Sequence, residues 1–155
     1  MTTDRRSDIP PEFWQGVEEF NTKDFYACHD TWEAIWLEAI EVDRNFYQGL
    51  IQIAVGLYHL RNHNWQGCVI LMGEGLQRLG AYQPDYFEIE VTPFIESVQY
   101  LLQAIQQAGP ENVESLASQV HAGNETVEDN SQSSNGTVEQ LPQLRLRAPT
   151  IARII

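Results

Sequence analysis

Lysine is almost missing from this chain. Lys23 is the single one among 155 residues, and lysine and arginine together number 9 against 22 acidic residues, for a net charge of -13. Binding to nucleic acid depends on neutralising phosphates with cationic side chains, so such a field repels that class of partner. Anionic membrane surfaces are disfavoured for the same reason. Long apolar runs are missing too: Gln, Gly or a charged residue interrupts each one well before it could span a bilayer. The opening stretch MTTDRRSDIPPEFW has arginines but no apolar run behind them, so no secretory signal is expected. Cysteine is scarce, with only Cys28 and Cys68. Two thiols make no disulfide framework, and we expect both reduced, in a cytoplasmic protein.

What is present is core material. Hydrophobic residues make up 43% of the chain and aromatic ones 10%, enough to fill one globular domain. PPEFWQGVEEFN, from Pro10, places prolines at a first helical turn and Phe13, Trp14, Val17 and Phe20 at helical spacing. A second helix follows, capped by Asn21 or Thr22 and running to about Ile40, with Phe25, His29, Trp32 and Trp36 on its buried stripe. A third, about 44–63, is apolar around most of its circumference and must be central. Asn64 caps a fourth that ends near Gly80, in which Gly67, Gly73 and Gly75 suggest close backbone packing. QPDYFEIEV reads as a loop, Thr92-Pro93 opens a fifth helix ending near Gly109, and ENVESLASQV adds a short sixth.

The expected architecture is all-α: a compact bundle of about five helices over residues 8–121. A flexible polar linker occupies 122–140, and residues 141–155 form an extended docking segment. Docked on another copy, that segment would build a homo-oligomer.

With Gln48 at zero and about 100° per residue, Asn45, Gln52, Gly56, His59 and His63 fall within about 80° on one side of the third helix. The polar residues of an otherwise apolar helix are thus gathered into a seam. On the second helix His29 and Glu33 are four apart and share a face, whereas Asp30 points away from it. If these two helices pack antiparallel, one interface holds His29, Glu33, Gln48, Gln52 and His59. Each such group costs about 1–3 kcal/mol if buried without a partner, so they must satisfy one another, hold water, or bind a ligand or metal.

Two readings stay open. In the first, His29, Glu33, His59 and His63 hold a divalent ion such as Zn, and Glu33 or His29 serves as base toward a metal-bound water. In the second, the same groups form a structural network or a small-molecule site, with Gln48, Gln52 and Trp36 facing the ligand. Cys28 beside His29 is no thiol dyad, because adjacent helical residues do not face each other. H-E-x-x-H, nucleophile-elbow, phosphate-loop and Glu-x-x-His di-iron patterns do not occur.

FNTKDFYACHDTWEAIW and RNFYQGLIQIAVGLYHLRNHNWQGCVILM closely resemble the domain of unknown function 309 family. Its pattern is H-x-x-x-E-x-x-W, then Q-G-x-I-Q and a histidine. His29, Glu33 and Trp36 match the first part. Gln48, Gly49, Ile51, Gln52 and His59 match the second, followed by Asn64 and Gly67. The resemblance covers about residues 12–108. It implies a compact all-α bundle of bacterial or archaeal type, and for some members a label of predicted metal-dependent hydrolase.

Overall fold

The structure, a computed structural model, describes residues 9–122 and 146–154. Among them lie six α-helices: α1 (Pro11–Asn21), α2 (Phe25–Trp36), α3 (Glu41–Arg61), α4 (Trp65–Leu79), α5 (Val91–Ala108) and α6 (Val113–Ala122). A small antiparallel hairpin, β1 (Asp85–Tyr86) and β2 (Ile89–Glu90), sits between α4 and α5. The all-α class holds, with six helices rather than about five. Beyond Ala122, the expected linker lies outside the described residues. No helix among the described residues is long and apolar enough to cross a membrane.

The first two helices are locked through one indole. Trp32 of α2 is fully buried between the rings of Phe13 and Phe20, at centroid distances of 6.1 and 6.0 Å. Its Nε1 donates to the Phe13 carbonyl at 3.2 Å, which removes the cost of burying that donor. Gly16 makes room for it, since a Cβ there would sit 2.1 Å from the same nitrogen. The cap of α2 is Asp24, whose carboxylate accepts from the Ala27 N–H, rather than Asn21 or Thr22. The helix also stops at Trp36, short of the expected Ile40. There Arg44 takes over an end carbonyl, its Nε donating to Trp36 O at 3.2 Å.

Helix α3 is the axis of the molecule, with Phe46, Leu50, Ile53, Ala54, Leu57 and Leu60 buried against the core. It crosses α4 at backbone contact: a Cβ on Gly75 would lie 2.7 Å from the Gly49 carbonyl oxygen. The expectation of close packing therefore holds for Gly75 but not for Gly73, which has nothing within 4 Å.

QPDYFEIEV is a hairpin, not a plain loop. Its turn residues Phe87 and Glu88 have φ of 51° and 62°, the left-handed geometry that a two-residue hairpin turn requires. Asn-Gly normally marks such a turn, so Phe-Glu gave no local signal. Tertiary contacts hold it instead: the Phe87 ring is buried, edge-on to Phe13 at 5.3 Å and stacked on Tyr86 at 5.1 Å.

The last helix, α6, packs on α3 and buries Leu116, Ala117 and Val120. Its His121 donates from Nε2 to the Leu57 carbonyl at 3.2 Å, while its buried Nδ1 has no partner among the described residues. Burial, then the nearby Arg61, pushes the imidazole down to about 4, outweighing the opposite pull of the Leu57 bond; Lys23 adds to the lowering.

Two outcomes follow from this packing. Gly73→Ala should raise stability by up to about 1 kcal/mol through helix propensity, whereas Gly75→Ala should cost about 1–3 kcal/mol. Urea unfolding of the pair measures both, and equal effects would contradict the close crossing. His121 is held neutral in the fold, below its unfolded value of 6.5, so the unfolded chain takes up its proton first as pH falls. Its contribution is complete above pH 6.5 and is lost progressively as pH falls towards about 4. His121→Gln should flatten the pH dependence of the melting temperature in that window.

Candidate functional site

Two kinds of contact divide the surface of α3. On one side, the Arg44 guanidinium lies 4.5 Å from the Trp36 ring centroid, and Tyr58 meets Tyr26 of α2 edge-on at 5.4 Å. On the other, Asn45, Gly49, Gln52 and Gly56 meet α4. Between these sides, Gln48, Val55 and His59 fall within about 40° of one another around the helix. All three are half-buried. They form a half-buried strip of α3 flanked by α2 on one side and α4 on the other, the floor of the candidate site with those helices as its walls.

The α4 wall is tied to the floor by a closed polar network. Buried Gln52 accepts from Arg78 Nε at 3.0 Å and donates to Glu74 Oε1 at 3.1 Å. Arg78 also donates to Asn45 Oδ1 at 2.6 Å. The seam expected on α3 is real, but its Asn45 and Gln52 members turn toward α4 and not toward α2. Gln52 is bonded at both ends of its amide, which gives it a structural role. For the Gln48 side chain no partner is found among the described residues.

On the α2 wall, His29 stands between two carboxylates. Its Nδ1 is 3.2 Å from Asp30 Oδ1, and its Nε2 is 3.7 Å from Glu33 Oε1. The His29 side chain is 30% exposed and that of Glu33 52%, so this half of the site is open rather than buried. Asp30, expected to point away, is the nearer partner. At a half-exposed helix edge the imidazole can turn to the solvent side, where Asp30 lies. Tyr26, itself exposed, flanks His29 with a centroid distance of 6.3 Å.

The histidines of α3 are not the expected pair on one face. The helix ends at Arg61, and His63 lies beyond it in the left-handed region at φ 65°. Its backbone N–H returns to Leu60 O at 3.0 Å, closing the helix end, and its side chain is exposed. His59 stays on the floor of the site, with Nδ1 3.4 Å from Asn64 Nδ2. Among the described residues no group of three or more His, Cys, Asp or Glu side chains is placed to hold a metal ion. The donor geometry gives the reason: the two carboxylates approach opposite nitrogens of His29, and His63 has left the helix. His29, Glu33, His59 and His63 are not brought together as one such group among the described residues.

Trp36 is half-buried beneath Arg44, which covers a face that a ligand would stack on. Tyr26, Glu74 and Arg78 were missed from the sequence. The last two carried a readable signal, an acid and a base four residues apart on one helical face. Both thiols are buried and inert: burial, then the Glu19 and Asp24 carboxylates, drives Cys28 far above its ordinary value, and burial alone pushes Cys68 up to about 12.

The two walls should respond differently to substitution. Gln52→Ala should destabilise the protein by about 1–2 kcal/mol, because it breaks a buried network. His29→Ala and Glu33→Ala should stay within about 0.5 kcal/mol. Denaturant titration distinguishes these, and a loss for His29→Ala as large as for Gln52→Ala would show that the α2 wall is structural. Neither cysteine should react with a thiol reagent before unfolding.

Residues 13–71 match the profile of DUF309, a domain of unknown function. A stretch of 66 residues is 38% identical to the uncharacterized protein YpuF of Bacillus subtilis (strain 168), covering 42% of this chain and 38% of that protein. The match thus spans well under half of that relative. No solved structure matches the chain significantly. The matched family segment ends within α4, short of the residue 108 that the resemblance reaches. It contains the whole floor of the site and the α2 wall, but stops before Glu74 and Arg78. The chain is thus similar to DUF309 over residues 13–71, the part that carries Gln48, Val55, His59 and the α2 wall.

Proposed function

We propose that this protein is a non-catalytic helical module that binds a small polar ligand over the half-buried strip of α3. One observation carries the reading: Gln48 and His59 are left half-open between two helices, while the neighbouring Gln52 is fully used within the fold. Gln48 offers both a donor and an acceptor, and His59 has a ring nitrogen of either kind. The α2 wall adds the Asp30 and Glu33 carboxylates and the exposed Tyr26 ring against Tyr58. Carboxylates beside aromatic faces favour an amine over an anion, in keeping with the acidity of the chain. The hydrolase alternative has no assembled donor set among the described residues to support it.

A nuclear magnetic resonance titration tests this with three probes: small amines, amino acids and, as control, dicarboxylates. Amines should shift the signals of His29, Gln48 and His59 together, and Gln48→Ala should weaken that binding at least about tenfold without unfolding the protein. No concerted shift with any probe, or preferential binding of the dicarboxylates, would overturn the proposal.

A further inference from the structure

Of the C-terminal residues 146–154, residues 152–154 pair with the outer edge of β2 through an antiparallel bridge. Glu90 N–H donates to Ala152 O at 3.0 Å and Ile154 N–H to Glu88 O at 2.9 Å, with Ile89 and Arg153 paired antiparallel. Asn21 clamps Ile151 in both directions: its Nδ2 donates to Ile151 O at 3.0 Å, and its Oδ1 accepts from Ile151 N–H at 2.8 Å. Asn21 is therefore the reader of the tail rather than a helix cap. Arg153 lies 3.9 Å over the Trp14 ring centroid and donates to Glu88 Oε1 at 2.9 Å, while Leu146 and Ile151 are buried.

This receptor reads an extended segment by backbone bonds, an aliphatic anchor and an arginine two residues on. Every bond is to the tail's own residues 151–154, and none requires that the tail belong to the same chain. Residues 123–145, polar and small by sequence over most of their length, join the two partners. We propose that the surface formed by Trp14, Asn21 and the β2 edge is a strand-accepting interface whose partner is the tail of a second copy. Exchange of tails then gives a reciprocal two-fold dimer with the same contacts as the closed monomer. In the monomer the tether keeps the local tail concentration high, so closure in cis dominates until protein concentration competes with it.

Two full-length variants test this. Asn21→Ala with Glu88→Arg disables the receptor and leaves an intact tail. Ile151→Asp with Arg153→Glu disables the tail and leaves an open receptor. Each should be folded by circular dichroism and monomeric by sedimentation. Mixed at up to about 0.5 mM, of the order of a tethered concentration, they should form a 1:1 complex. Adding Arg153→Glu to the first variant should abolish the complex. A mixture that stays monomeric, with both variants folded, overturns the proposal, and so does a complex that survives the added Arg153→Glu.

Discussion

Where α3 crosses α4, the Gly75 side of one helix rests against the Gly49 backbone of the other, with no side chain to hold them apart. That approach draws Arg78 and Glu74 over α3, within reach of the Gln52 amide. It also leaves the strip of Gln48, Val55 and His59 half-buried, because α4 lies to one side of it and α2 to the other. A wider crossing would put bulk between the helices and would part Gln52 from its partners. The partial exposure of that strip is a by-product of how closely two helices meet.

The other half of the molecule depends on a different device. Trp32 joins α1 to α2, and the Phe13 ring beside it also supports the Phe87 turn. That turn adopts left-handed backbone at two residues that carry side chains, a conformation sustained by tertiary contact. It positions β2 and Glu88, the edge and the carboxylate that receive the tail. The α1–α2 core and the tail are therefore linked through one aromatic cluster.

Much of the framework was legible in the residues. Asn64 caps α4 as its type and position indicate, accepting from the Gly67 N–H at 2.9 Å, and the apolar circumference of α3 announced its central place. The polar seam of α3 was legible as well, since it depends only on helical periodicity. Its destination was not. Periodicity places residues on a face but does not say which neighbour that face meets, and α4 took what α2 was expected to take. Openness was equally hidden: Glu33 shares the expected face with His29, yet that face lies at the rim of the site and not beneath it.

Asn21 shows where local reading ends. Its type suited a helix cap, but the cap is Asp24, and the Asn21 amide is turned to Ile151, far away in the chain. By itself, the sequence determined the helices, the central place of α3 and the segregation of its polar strip, all consequences of short-range spacing and hydrophobic pattern. Only the tertiary structure decided which helices flank that strip, which histidine leaves the helix, and where the tail pairs. Those depend on contacts between residues distant in sequence, whose geometry no local pattern encodes.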